Sequence, residues 1–136
     1  TGVRYKYWEK VINILDSEMT AKKSIVLVGS ENGIKDSESI SSKLVSRGSL
    51  INTVGKLTLA ETASVISYCD LIVGVDGGLL HIASAHRLKI VALFVDGIEP
   101  DFYFTKATRC WSISGFIDPN DINPISIVNK ILETYK

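Results

Sequence analysis

The chain has 136 residues, 46% of them apolar, enough for one domain whose core hides roughly two thirds of the surface an unfolded chain would expose. Its 15 Lys and Arg are matched by 15 Asp and Glu. This balance excludes a broad field suited to nucleic acid, an acidic polymer or a polybasic membrane contact, so any anion must be held by a local device. Cys69 and Cys110 lie far apart with no CxxC partner, which argues against a zinc site or a disulfide framework and for two reduced, mostly buried thiols of a cytoplasmic protein. The longest apolar run, residues 90–95, is far short of the ~20 residues a membrane-spanning helix needs, and no signal-peptide pattern is present. A soluble protein is expected, compatible with work at a membrane surface.

In chain order, hydrophobic runs and helical stretches alternate, the pattern of a mainly parallel sheet wrapped by helices. Residues 7–18 repeat apolar side chains at helical intervals through Trp8, Val11, Ile12, Ile14 and Leu15. Residues 24–29 (SIVLVG) read as a buried strand, continuously apolar as parallel strands tend to be. A second helix is expected over 35–45, with Gly48 placed to end it. A short strand over 50–54 precedes Gly55, after which Thr58 and Glu61 match a capping box for a helix reaching Tyr68. Residues 71–75 (LIVGV) form the clearest strand and run directly into DGGLLHIASA, a strand–turn–helix junction. Another strand is expected over 90–95, then a loop with Gly97, Pro100 and the aromatics Phe102, Tyr103 and Phe104, then a fifth strand around 111–114. His86, Arg87 and Lys89 fall where the helix after DGGLLH ends and suit its negative dipole end. Pro119 and Pro124 bracket a turn ahead of an amphipathic helix over 125–135. With no internal repeat, low-complexity tract or linker, residues 1–136 read as a single domain.

Open parallel sheets place ligands beyond the carboxyl ends of their strands, where the following helices point their amino termini. Four loops qualify, beginning at Gly29, Gly55, Asp76 and Val95. The loop at Asp76 is the most specific. Gly77 and Gly78 remove side chains where a helix starts, leaving bare N–H groups at a positive dipole end, a description that a phosphate fits. His81 falls within the first turn and can aim a ring N–H at the same anion; the dipole disfavours its protonation and a bound diphosphate favours it. Simpler readings stand beside this one: Asp76 as a helix cap, the glycines as a tight turn, His81 as a core histidine. The pattern is neither GxGxxG nor a P-loop, so the residues alone reach an α/β domain with an anion site.

The segment LIVGVDGGLLHIASAHRLKIVALF resembles glycosyltransferase family 9, the lipopolysaccharide heptosyltransferase family, in its D-x-G-x-x-H between strand and short helix. VGKLTLAETASVISYCDLIV is similar to that family's Gly followed by a Ser/Thr-Leu helix, Lys6-Tyr7-Trp8 to its Lys-x-Trp signature, and SIVLVGSE to the strand that follows. The resemblance covers nearly the whole chain. It implies an α/β fold, a three-layer Rossmann-like mainly parallel sheet, as in the carboxy-terminal half of a two-domain GT-B enzyme. That half binds the nucleotide-sugar, while the acceptor and the general base belong to an amino-terminal domain absent from this chain.

Residue by residue, the resemblance implies that Asp76, the main chain at Gly77 and Gly78, and His81 contact the donor's diphosphate and sugar, His81 stabilising the departing diphosphate. Lys6 would approach the diphosphate as a cation, and Glu31 would accept hydrogen bonds from ribose hydroxyls, with Glu38 as the alternative. The donor implied is typically ADP-heptose, transferred with inversion to a lipopolysaccharide-type, other glycan or lipid-linked acceptor at the cytoplasmic face of the inner membrane, with no metal, no cofactor and no nucleic acid. Alone, the chain would bind donor without catalysing.

The chain departs from the family pattern at three points. Gly77 stands where Thr or Ser is usual, the loop VDGIEP is longer than the family's Gly-rich turn, and no proline follows Trp8. No DxD motif occurs, and Asp118 and Asp121 around Pro119 read as a turn and helix start rather than a metal site. Other readings are a GT-B transferase or epimerase with a UDP or GDP donor, and a non-catalytic nucleotide-sugar-binding module. A flavodoxin-like or receiver domain fits less well, since a receiver needs an acidic cluster that Gly29-Ser30 does not provide.

Overall fold

Helices and parallel strands alternate in the computed structural model, which describes residues 5–19, 21–45, 50–75, 77–95 and 110–136. The order is α1 (Trp8–Glu18), β1 (Ile25–Leu27), a 3-10 turn (Glu31–Gly33) running into α2 (Ile34–Ser42), β2 (Leu50–Asn52), α3 (Leu59–Ser67), β3 (Leu71–Val75), α4 (Gly78–Ala85), β4 (Lys89–Val95), β5 (Cys110–Phe116), a second 3-10 turn (Pro119–Asp121) and α5 (Pro124–Glu133). The expected helix stop at Gly48, Asp76 of DGGLLH, and the loop with Gly97, Pro100, Phe102, Tyr103 and Phe104 lie outside the described residues.

Every strand pairing is parallel, as the continuously apolar runs imply: β1 with β2, and β3–β4–β5 in that order. Among the described residues no ladder joins the two groups. β1 and β2 are shorter than the apolar runs 24–29 and 50–54. Past their three paired residues, the Thr53 N–H and hydroxyl both donate to the Leu27 carbonyl, at 3.0 and 2.7 Å, and Gly55 turns the chain away at φ +72°.

β4 forms the middle layer. Ile90, Ala92 and Phe94, all fully buried, face a core built with Ile66, Leu80, Ala83 and Leu88 on and beside α3 and α4. Val91 and Leu93, equally buried, face the opposite core with Val11 and Leu15 of α1, Ile113 of β5, and Ile127, Val128 and Ile131 of α5. Strand alternation thus feeds two helical layers from one strand. Burying each of the four larger β4 side chains contributes about 1.5–3 kcal/mol, together comparable with the net stability of a whole domain. α1 packs on α5 and α2, whereas α3 packs on α4. Helices therefore change face after β2, as they do in doubly wound folds where the strand order reverses.

The helix ends are specified locally. At α3 the Glu61 N–H donates to Thr58 Oγ1 at 3.1 Å and the Thr58 N–H to Glu61 Oε1 at 2.9 Å, the capping box expected from the sequence. These bonds hold the Glu61 carboxyl below its usual range. α2 ends earlier than expected, where Asn13 of α1 takes over its last groups: Nδ2 donates to the Lys43 carbonyl at 3.3 Å and Oδ1 accepts the Val45 N–H at 3.0 Å. Asn123 caps α5 ahead of Pro124 at its first position. α4 ends in a Schellman motif, with Leu88 N–H donating to Ala83 O at 3.2 Å and Arg87 N–H to Ser84 O at 3.0 Å. Arg87 holds the left-handed position at φ +59° that glycine usually fills. Lys89, expected to serve the end of α4, serves α5 instead: its ammonium donates to the Thr134 carbonyl at 2.7 Å and lies 4.7 Å over the Tyr135 ring.

Cys69 and Cys110 are free and half-buried against the α3/α4 core. Cys110 opens β5 and Cys69 precedes β3, so all of β4 lies between them, roughly two strand spacings or 9.5 Å, beyond disulfide reach. Among the described residues no helix is long and apolar enough to cross a membrane.

Candidate functional site

The carboxyl edge of the strands is where the sequence motifs gather. Gly77 precedes α4 with extended backbone, φ 173° and ψ −178°, and Gly78 is the first helical residue; both are exposed. Among the described residues, a Cβ added at Gly77 would meet nothing nearer than the Val75 carbonyl at 3.7 Å, and one at Gly78 nothing within 4 Å. Neither has a left-handed backbone, so among the described residues nothing excludes a side chain at either position. What they leave is open access to the first N–H groups of α4, which no side chain among the described residues caps. The loop at Gly55 is the opposite case. Its φ of +72° and an added Cβ only 2.6 Å from the Ile34 side chain make glycine a requirement of the fold there.

α4 buries Leu80 and Ala83 and turns His81 to the exposed side. The core-histidine reading is thereby excluded. His81 is the fourth helical residue, within reach of whatever occupies the helix start.

Lys6 is exposed just ahead of α1 and takes part in no ion pair among the described residues. Its main-chain N–H donates to Asn120 Oδ1 at 2.7 Å. Asn120 lies in the turn after β5, so this bond brings Lys6 to the carboxyl edge. Asp118 caps that turn, its Oδ1 accepting the Asn120 N–H at 2.9 Å and Nδ2 at 3.0 Å, which is the turn-and-helix-start role expected of it. The neighbouring Tyr5 is buried, its ring edge-on to Tyr7 and Trp8 at 5.8 and 4.9 Å, and its hydroxyl donates to the Ile122 carbonyl at 2.9 Å. Burial, reinforced by the negative charge of Glu9, pushes the Tyr5 phenol up to about 12. In the Lys-Tyr-Trp triplet, Trp8 packs on the core while Lys6 stays outside.

Glu31 opens the 3-10 turn that follows β1 and is exposed. A Cβ on Gly55 would lie 3.4 Å from the Glu31 Cα, so the loops after β1 and β2 are in contact. Glu38, the alternative, is also exposed but sits more than a turn into α2, away from the strand ends. Gly77, Gly78 and His81 follow β3, and Lys6 is bonded to the turn after β5, so these residues lie at the carboxyl end of the β3–β4–β5 ladder; Glu31 lies at the carboxyl end of the β1–β2 pair. Asp76 is outside the described residues. Asn120 was not anticipated; the Asp-Pro-Asn run signals a turn but not what the asparagine amide would hold. At the end of the three-stranded ladder, helix-start N–H groups with no side-chain cap among the described residues, a cation and a ring nitrogen are groups suited to an anion. Among the described residues no group of three or more His, Cys, Asp or Glu is arranged to bind a metal ion.

The family model of glycosyltransferase family 9 (heptosyltransferase) matches residues 4–107, well over half of the chain. Among solved structures, the chain is similar to the glycosyl transferase family 9 from Veillonella parvula DSM 2008, with a TM-score of 0.79 at 15% identity, covering 94% of this chain and 40% of that one. It is also similar to E. coli ADP-heptose lps heptosyltransferase II, with a TM-score of 0.77 at 22% identity, covering 98% of this chain and 43% of that one. These structural likenesses are of fold, and the chain spans about two fifths of each of those proteins. No curated protein matches the sequence.

Proposed function

The chain belongs to glycosyltransferase family 9, and from that premise we propose that it is the donor-binding half of an inverting, metal-independent transferase that uses a nucleotide-sugar, with ADP-heptose the leading candidate. Support comes from the α/β fold shared with solved family 9 structures and from the α4 start. The observation that carries the reading is the glycine pair: two exposed glycines at which nothing among the described residues excludes a side chain, opening a helix at the carboxyl edge of a parallel ladder. Such a start accepts a diphosphate through main-chain N–H groups and the helix dipole. Asp76 would complete the loop against the donor.

As the glycosidic bond breaks, negative charge builds on the departing diphosphate. The α4 N–H groups, the Lys6 ammonium and a His81 ring N–H are then worth more than they are to the bound donor, and that difference lowers the barrier. A charge-assisted hydrogen bond contributes about 1.5–3 kcal/mol, so three such groups supply roughly the effect of a divalent ion at a DxD motif. Glu31 would accept from the ribose hydroxyls. The acceptor, a lipopolysaccharide-type or other glycan or lipid-linked sugar, and the general base that activates its hydroxyl would come from a second domain, with transfer at the cytoplasmic face of the inner membrane.

Calorimetric titration with ADP, UDP and GDP tests the reading. Saturable binding is expected, strongest for ADP; none by any of the three would sink the donor-domain assignment. In the transferase whose donor half this chain supplies, His81→Ala is expected to slow transfer by about 100-fold or more, the effect typical of losing one charge-stabilising donor. Unimpaired transfer would remove His81 from the leaving-group role.

A further inference from the structure

Resting on the donor-binding reading, we propose that Asn120 is a positioning residue that sets the Lys6 cation against the donor diphosphate. A lysine on a flexible stem is a poorly placed charge unless its main chain is fixed, since ordering the side chain alone costs about 1.5–2 kcal/mol. Lys6 precedes α1, outside regular structure, yet residues 5 and 6 are both tied to the same distant turn. The Tyr5 hydroxyl bonds the Ile122 carbonyl from inside the core, and the Lys6 N–H bonds Asn120 Oδ1 at the edge, 117 and 114 residues apart in sequence.

The Asn120 amide can face only one way. Its NH2 donates to the Asp118 carboxylate, an acceptor without a proton to give, which turns its oxygen toward the Lys6 N–H. The 3-10 turn is held by its main-chain bonds, Asp121 N–H to Asp118 O and Ile122 N–H to Pro119 O at 3.0 Å each, and by the Asp118 cap on the Asn120 N–H, so the side-chain bond to Lys6 is additional to the turn. What it does is register Lys6 on β5. β5 is laddered to β4, β4 to β3, and β3 leads into the start of α4. The Lys6 main chain and the start of α4 are thus both tied to one three-stranded frame.

The test is a double-mutant cycle on ligand affinity. ADP and AMP are titrated into the wild type, Asn120→Ala, Lys6→Ala and the double variant, with thermal melting of each. Asn120→Ala is expected to weaken ADP roughly three- to tenfold, the loss of one oriented hydrogen bond, while AMP, which lacks the second phosphate, changes less than about twofold. In the Lys6→Ala background, Asn120→Ala should cause no further loss. Wild-type ADP affinity in Asn120→Ala, or an equal loss in both backgrounds, overturns the inference while leaving donor binding intact. Absence of ADP binding by the wild type would overturn the donor reading and this inference together. Should Asn120→Ala not fold, Asn120→Ser, which also removes the amide oxygen that Lys6 N–H bonds but keeps a small polar side chain in the turn, carries the same cycle: an ADP loss that vanishes in the Lys6→Ala background supports the proposal, and no loss, or one that persists there, overturns it.

Discussion

Glycine has opposite meanings at two positions that follow strands of this protein. At Gly55 the left-handed backbone and the Ile34 side chain 2.6 Å from an added Cβ both exclude a side chain. Gly55→Ala is therefore expected to lose roughly 2–4 kcal/mol in urea unfolding, from left-handed strain and overpacking together, and a loss below about 0.5 kcal/mol would refute the geometry. Gly78 is in an ordinary helical conformation facing open space. Gly78→Ala should be at least as stable as the wild type, because alanine is the better helix former. The sequence shows both glycines but not this difference, which depends on a neighbour 21 residues away in the case of Gly55. His81 and Lys6 are similar: their presence in a motif is legible, whereas their exposure is settled only when Leu80 and Trp8 take the buried places beside them. Asn120 could not be read at all, since its partner lies at the other end of the chain.

At the scale of elements, the reading succeeded where a local rule decides. The Thr58–Glu61 box, the turn marked by Pro124 ahead of α5 and the apolar runs of β3 and β4 are written in neighbouring residues, and each element stands within a residue or two of its expected bounds. Bounds differ where the paired stretch is shorter than the apolar run, as in β1 and β2, and where a tertiary bond takes over a helix end, as Asn13 does for α2. The end of α4 is a place where the chain has not chosen its most stable residue. Arg87 occupies φ +59° in a Schellman turn with its side chain exposed. Arg87→Gly is expected to stabilise the protein by about 0.5–1 kcal/mol, the left-handed penalty less the extra freedom of glycine when unfolded. A lower melting temperature for the variant would mean that the arginine side chain contributes more than the strain removes.

For the whole molecule, the response to alkali comes, among the described residues, from Cys110, Tyr5, Cys69 and Tyr135, all pushed up chiefly by burial, with Cys110 and Tyr5 shifted most. Burial pushes the Cys110 thiol from its ordinary 9.0 up to about 11, and burial with the nearby Glu9 charge pushes the Tyr5 phenol from 10.0 up to about 12. The folded protein keeps these protons to higher pH than the unfolded chain does. Their contribution is complete below about pH 9 and is lost as pH rises through 11 and 12. Glu61, held low by its cap, acts in the other direction, its contribution present above 4.5 and fading in acid. Melting temperature should therefore fall steadily above pH 9, and Cys110→Ala should flatten the first part of that fall; a melting temperature constant from pH 8 to 11 would contradict it.

β4 carries one more consequence. Its main-chain amides are bonded between two strands, and its side chains are embedded in both helical layers. No local fraying can uncover them without separating the layers. In deuterium oxide, the amides of Ile90 to Phe94 would exchange only through opening of the entire chain. The carboxyl edge is thus built on a slow spine that unfolds all or none.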